Sequence, residues 1–423
     1  MRVLAISFCL PPESVPQAVQ IGRLLANLPA KIGVVGGQPN QLGWNEELTG
    51  EFNQRVAFRQ NIAFRPFFSG FTATLARRFV PFWGRIPDEY RRWVPLAEES
   101  ALMRLQTEKF QPDLIATFGE PMSDHLVGLR LKTRLGVPWI THFSDPWADN
   151  PFRRYEFLAQ FVNARLEAQV IEAADQLVFT SEETLDLVMR KYPKAWRIKA
   201  QVRPHSFDPA LYSQPSKPSG PLIVRYLGSF YGHRSPAPLF RALKLLLRRE
   251  ASVLDNVQFE LVGSLPGRMR MHPSLRSLPA GLVRLRDPVP YLESLKLMSA
   301  SDLLLVIDGP DDLSVFLPSK LIDYLGARVP IFGIVPHGAS AKLLTRLGAP
   351  IADPRNPEQI VTGLRHALKL AADRRLAANW QPWGDPEIMH EYDIGRITKA
   401  FFQIMQNTLR RSQANISQRS TKN

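Results

Sequence analysis

Residues 2–37 read "RVLAISFCLPPESVPQAVQIGRLLANLPAKIGVVGG". A short apolar run (2–8) stops at Pro11-Pro12, helical spacing follows in 17–28, and a second apolar run (31–37) closes on Gly36-Gly37. Two strands with a helix between them, and no tight turn, are the opening of a parallel sheet, because parallel neighbours need a crossover connection. The same alternation recurs in "PDLIATFG" (112–119), "DHLVGLRLKTRL" (124–135) and "GVPWITHF" (136–143), and again in "ADQLVFTSEETLDLVMRKY" (174–192).

Residues 203–221, "RPHSFDPALYSQPSKPSGP", are rich in Pro and Ser and have little periodicity, which marks a linker. The pattern then restarts: "LIVRYLGSF" (222–230), "PLFRALKLLLRRE" (238–250), "VQFELVG" (257–263), "LESLKLMSASDLLLVID" (292–308) and "SKLIDYLGARVPIFGIV" (319–335). This predicts an α/β protein of two Rossmann-like domains facing a central cleft, over 1–205 and 206–384. A long amphipathic segment at 385–409 predicts a helix, and the polar tail 410–423 is expected to be disordered.

A chain of 423 residues is too long for one ordinary core, and 45% hydrophobic with 22% charged residues is globular composition. The net charge of +14 suits nucleic acid, an anionic membrane face or phosphorylated substrates. The single cysteine, Cys9, excludes an intramolecular disulfide and Cys-based metal spacings. No stretch reaches the roughly 18–20 apolar residues of a membrane span, and the N-terminus lacks a cleavage pattern. The chain therefore reads as cytoplasmic, with one face able to lie on the inner side of the cell membrane. Residues 64–93 mix Phe and Trp with Arg65, Arg77, Arg78, Arg85, Arg91 and Arg92, which suits an anionic membrane surface. The plain alternative is an insertion packing on its own domain. Aromatic plus basic residues also suit stacking on single-stranded nucleic acid, but no nucleic-acid motif accompanies them.

In an open parallel sheet, ligands sit beyond the carboxyl ends of the strands. "WITHFSDPWADNPF" (139–152) crowds polar groups at such a point, making Asp145 and His142 catalytic candidates. A capped turn and a core histidine are the alternatives. Glu13 and Ser14 follow the first strand, where a G-x-G-x-x-G loop is absent, so no dinucleotide site is expected. In the second half, Gly228 and Gly232 would let the backbone approach a ligand, and Ser229 and Arg234 would reach phosphate oxygens. Ser319 and Lys320 open a helix whose N-terminus favours an anion, and Asp323 lies one turn on, suited to a ribose diol. The alternative there is a capped helix with a local Lys–Asp contact.

With these stretches on view, the chain resembles GT-B glycosyltransferases, in particular family 4, which is retaining and uses nucleotide sugars. The matching stretches are "ISFCLPPE", "PDEYRRWVPLA", "SDPWADNPF", "TSEETLDLV", "YLGSFY" and "LPSKLIDYLGARVPI", spread over most of residues 2–335. The resemblance implies a donor ribose carboxylate at Asp323 and phosphate contacts at Gly228, Ser229, Arg234, Ser319 and Lys320. It implies an acceptor-side aspartate at Asp145 and a C-terminal helix returning to the first domain. It also implies no metal or cofactor beyond the nucleotide-sugar donor, and a glycan or lipid-linked acceptor in surface polysaccharide synthesis. Departures from the pattern are Val315 for a first carboxylate, Ser144 before the aspartate, and Arg328-Val329 within the last stretch, where relatives have Gly-Lys or Gly-Thr. They keep two other classes open: a GT-B protein that binds without turnover, and a sugar-nucleotide epimerase.

Overall fold

The computed structural model describes residues 1–38, 46–64, 85–153, 155–213 and 220–420. The chain divides into two compact units, one of residues 1–204 with 394–423 and the other of 205–393.

Unit 1 is built on seven strands: β1 (Arg2–Ile6), β2 (Lys31–Gly37), β3 (Phe58–Ile62), β4 (Leu114–Gly119), β5 (Trp139–Phe143), β6 (Gln176–Phe179) and β7 (Ala200–Val202). Its helices are α1 (Pro16–Asn27), α2 (Glu46–Arg55), α3 (Trp93–Thr107), α4 (Ser123–Leu135), α5 (Phe157–Ala173) and α6 (Glu182–Met189). The strand order is β3-β2-β1-β4-β5-β6-β7, with every pairing parallel. The central strands β1, β2 and β4 are largely apolar because helices cover both faces. Period-two alternation sends Leu4, Ile6, Ile115, Trp139 and Phe143 to the face covered by α3, α4 and α5. Val3, Ala5, Ala116, Phe118 and Ile140 go to the other face, covered by α1 and the C-terminal helix.

Unit 2 repeats the plan with β8 (Leu222–Leu227), β9 (Val257–Val262), β10 (Val283–Arg286), β11 (Leu303–Ile307), β12 (Leu313–Ser314), β13 (Ile331–Ile334), β14 (His337–Gly338) and β15 (Ile351–Ala352). The main sheet runs β10-β9-β8-β11-β13-β15, and β12 pairs with β14 alone. Helices α7 (Ala237–Glu250), α8 (Tyr291–Ser299), α9 (Ser319–Ala327), α10 (Ala339–Arg346) and α11 (Pro357–Leu376) pack on it. Leu239, Leu243, Ile360 and Leu364 cover one face, and Leu295, Leu321, Leu325 and Leu344 the other.

Part of the stretch that reads as a linker is folded into unit 2. Phe207 bridges to Asp393, and Tyr212 lies over Gly326, where a Cβ would stand 2.4 Å from its ring. The final helix, α12 (Ile394–Ser420), belongs to unit 1, with Ile397, Phe401, Ile404 and Met405 buried in that unit's core. It continues ten residues past Arg410, where the sequence predicts disorder. From Arg396 to Ser420 the chain has no Pro or Gly, so a helix anchored by packing meets no breaker.

Candidate functional site

In both sheets the strand order reverses direction once, between β1 and β4 and between β8 and β11, and ligands of such sheets bind at the carboxyl ends of that pair. The sequence candidates fall around these two places, one in each unit.

In unit 2 the loop after β8 turns at Gly228, whose φ is 134°. A Cβ there would lie 2.7 Å from Lys320 Nζ, so the close approach of the lysine and the left-handed backbone both call for glycine. Further along the loop, the Arg234 guanidinium donates through Nε to Asp308 Oδ1 at 2.8 Å and through Nη1 to the Tyr231 hydroxyl at 2.8 Å. Asp308 directly follows β11, and whereas Tyr231 is exposed, Arg234 and Asp308 are buried. Its carboxylate also accepts from the Gly309 amide at 2.9 Å and the Ser314 hydroxyl at 2.6 Å. A buried carboxylate so surrounded fixes the guanidinium in one orientation.

Lys320 stands in the first turn of α9, beside Ser319. Its ammonium donates to the Tyr226 hydroxyl and lies 4.1 Å from the centre of that ring. Tyr226 is itself stacked on Phe230 at 4.2 Å. Burial and the Arg234 charge push the ammonium down to about 7, against the opposing pull of Asp308. Asp323, one turn on, receives the Tyr291 hydroxyl at 2.9 Å on its Oδ1, while its carbonyl accepts from Tyr212 at 2.8 Å. Ser229 contributes its carbonyl, 3.3 Å from the Tyr226 hydroxyl. Val315, where the resemblance has a carboxylate, is buried.

Asp308, Tyr226, Tyr231 and Tyr291 are absent from the sequence reading. Asp308 carried a signal: it is the first polar residue after the unbroken apolar run "LLLVI", at the strand end beside the reversal.

In unit 1, Pro11 and Pro12 are buried after β1 and Glu13 and Ser14 are half-buried. Gly22 of α1 sits under this loop, since a Cβ on it would lie 2.4 Å from the Pro11 ring. The Phe8 amide donates to Asp124 Oδ2 at 2.8 Å, and Asp88 accepts the hydroxyl and amide of Ser123 at 2.6 and 3.0 Å. Glu120 follows β4 and is ion-paired with Arg153. Burial raises its carboxyl to about 7; Arg153 opposes this, and the charges of Asp145 and Asp88 add to it. Asp145, half-buried after β5, and Asp88 thus form an acidic group with Glu120, which is the member paired with Arg153. Glu120 and Arg153 are also absent from the sequence reading.

Most of the other polar residues in "SDPWADNPF" hold the loop itself. Ser144 donates to Gln17 Oε1 of α1 at 2.7 Å. Trp147 donates to Asn163 at 2.8 Å, and the Ala148 amide to Glu167 at 2.9 Å, both on α5. Asn150 accepts the Phe152 amide at 2.9 Å, and Lys191 bridges Asp149 and Glu167.

His142 takes the place that the core-histidine alternative describes. On β5 it shares the face of Ile140, so its ring lies 5.6 Å from Phe118 and 6.2 Å from Phe401 of α12. Burial drives it down to about 4, leaving a neutral core histidine.

The aromatic segment is corrected in part. Phe64, Tyr90 and Trp93 pack around Phe8 at 6.3, 4.2 and 5.3 Å, so they serve the core of unit 1. Arg85 pairs with Glu156, while Arg91 and Arg92 are exposed. Arg65, Arg77 and Arg78 lie outside the described residues. Among the described residues, no three His, Cys, Asp or Glu side chains converge as a metal set, and no helix is long and apolar enough to cross a membrane.

Residues 63–202 match the profile of the glycosyl transferase 4-like domain. No curated protein matches the chain in sequence. Among solved structures, it is similar to HepE of Anabaena in complex with UDP and glucose, at 15% identity and a TM-score of 0.66 over 96% of this chain and 100% of that one. It is similar to the E. coli trehalose-6-phosphate protein bound with UDP-2-fluoro glucose, at 16% identity and a TM-score of 0.64 over 97% and 99%. The lipopolysaccharide outer core galactosyltransferase WaaB, in its apo form, gives 12% identity and a TM-score of 0.58 over 96% and 99%. At such identities the likeness establishes the fold. Two parallel-sheet units with these strand orders define the class of fold, GT-B. Within that class, residues 63–202 carry a glycosyl transferase 4-like domain.

Proposed function

We propose that the protein moves a sugar from a nucleotide-sugar donor to a glycan or lipid-linked acceptor of a surface polysaccharide. The anomeric configuration is retained, and the protein works at the cytoplasmic face of an anionic membrane. The observation that carries the donor half is the pair of cations at the β8/β11 reversal. Arg234, clamped by buried Asp308, and Lys320, at the start of α9, offer two positive groups and a helix N-terminus to a diphosphate. Similar structures holding UDP and a UDP sugar derivative support this reading. The WaaB likeness supports the choice of a surface glycan acceptor.

The chemistry asked of the chain is modest. As the bond from the anomeric carbon to the donor phosphate breaks, charge grows on the leaving diphosphate, where Arg234 and Lys320 stabilise it. The incoming acceptor hydroxyl loses its proton to that phosphate oxygen, so no protein nucleophile is needed. Asp145 and Glu120, in the acidic group of unit 1, orient acceptor hydroxyls. Asp323 serves the donor ribose, with Tyr291 fixing its carboxylate. Ser319, Gly228 and Ser229 line the phosphate loop, and Glu13 and Ser14 the acceptor loop.

A second reading, binding without turnover, draws on Ser144, engaged by Gln17, and on buried Val315. Incubation with a panel of UDP, GDP and ADP sugars separates the classes. Released nucleotide supports transfer, a changed sugar indicates an epimerase, and binding alone indicates a degenerate member. Membrane attachment by 64–93 predicts that replacing Arg77, Arg78, Arg91 and Arg92 together by Gln releases the protein from anionic vesicles with donor binding intact. Each arginine near such a surface is worth about 1 kcal/mol.

A further inference from the structure

Helix α5 presents an apolar face to solvent. Phe157 is 89% exposed, Leu158 51% and Phe161 59%. The helix cannot turn to bury them, because its opposite face is fixed. Asn163 takes the Trp147 indole N–H and donates to the Arg85 carbonyl at 2.6 Å, and Glu167 takes the Ala148 amide and the Tyr192 hydroxyl. Arg165 is exposed four residues after Phe161, on the same side of the helix.

We infer that Phe157, Leu158 and Phe161 insert into the interface of an anionic lipid bilayer, with Arg165 reaching the headgroups beside them. Two observations select this occupant. The three side chains offer roughly 400 Å² of apolar surface, about half of what each partner contributes to a stable protein interface. That is too little for a second copy and ample for interfacial anchoring. The charge also fits: Arg165 follows the apolar triplet on the same side of the helix, and the chain carries +14 overall. A long cationic side chain next to apolar anchors places its stem among lipid and its head at the phosphates. This inference rests on the membrane-associated reading above and adds an apolar contact on α5 to it, while Phe64, Tyr90 and Trp93 of the aromatic segment pack on the core of unit 1.

The test is co-sedimentation of the full chain with phosphatidylcholine vesicles, with and without about a third phosphatidylglycerol. The wild type should bind the anionic vesicles, and F157S/F161S should lower the partition coefficient at least tenfold. R165Q should lower it several-fold, an effect that salt abolishes. In F157W, the added tryptophan should be quenched by brominated lipid, and the melting temperature and UDP-glucose binding of each variant should match the parent. Three results would overturn the inference: no binding of the wild type to anionic vesicles, undiminished binding of F157S/F161S, or an unquenched tryptophan in a vesicle-bound F157W. A dimer that F157S/F161S dissolves would assign the face to a second copy instead. UDP-glucose binding in the same samples judges the transferase reading separately, so the two can fail independently. Loss of binding in the 64–93 arginine variant alone would leave the membrane reading standing without α5.

Discussion

The two sheets reverse strand order at equivalent places and put opposite charge there. At the ends of β1 and β4, unit 1 sets Glu120 among the charges of Asp88 and Asp145 and pairs it with Arg153. At the ends of β8 and β11, unit 2 points Arg234 and Lys320 toward one region, with Asp308 serving as the clamp of the arginine. Topology decides where a ligand is held, and the few side chains at the strand ends decide which chemistry is held. Carboxylates suit sugar hydroxyls, which donate hydrogen bonds, and cations suit a diphosphate, which only accepts them.

The comparison breaks most severely if the clamp is removed. Asp308→Ala should leave Arg234 buried without its carboxylate, a loss of about 3–5 kcal/mol. Chemical denaturation should show the loss in unit 2, together with a weaker grip on UDP sugars. An unchanged unfolding midpoint would mean that Arg234 is held by Tyr231 alone. On the acidic side, Asp145→Asn keeps the volume and removes the charge. It should lower turnover by about two orders of magnitude with donor affinity little changed. Equal turnover would reduce the acidic group to loop architecture.

The smallest effect belongs to His142, which is buried on β5 between Phe118 and Phe401. His142→Phe should leave turnover within about twofold. Its effect should appear in the pH dependence of stability. Burial depresses His142 to about 4 and His125 to about 3, so between pH 6.5 and about 4 the unfolded chain binds protons that the folded chain refuses. Stability therefore falls as pH falls through this window, by about 1.4 kcal/mol per pH unit for each group. The substitution should remove one of the two contributions, which urea titrations at pH 4.5, 5.5 and 6.5 would resolve.

Much of this was readable from the chain, for definable reasons. The strand–helix alternation is written in unbroken apolar runs such as "LLLVI", so the two-unit α/β plan followed from local pattern. Candidates at strand ends followed from the same logic, and Lys320, Arg234 and Asp145 lie where that logic puts them. Which way a residue faces did not follow. His142 and Asp145 are three residues apart in one polar cluster, yet the first stands on a strand buried on both faces and the second in the half-buried loop after it. Partners distant in sequence were equally hidden. Asp308 meets Arg234 across 74 residues and Glu120 meets Arg153 across 33, and no spacing rule links either pair. The length of α12 was misjudged because a polar tail resembles disorder until the buried side chains that anchor it are seen.

The central claim is that the β8/β11 reversal reads the donor diphosphate through charge, and calorimetric titration of UDP-glucose across pH tests it most directly. The diphosphate of a nucleotide sugar keeps its charge between pH 6 and 8.5, whereas Lys320, held down to about 7 by burial and Arg234, loses its charge as pH rises. The wild type should therefore bind more tightly at pH 6 than at pH 8.5. Lys320→Ala should weaken binding at pH 6 by about 1.5–3 kcal/mol and flatten the pH dependence. Asp323→Asn, which keeps a polar group toward the ribose, should cost less and keep the slope. Equal affinity for UDP-glucose in Lys320→Ala and the wild type at pH 6, with both proteins folded and binding, would contradict the assignment and place the donor elsewhere.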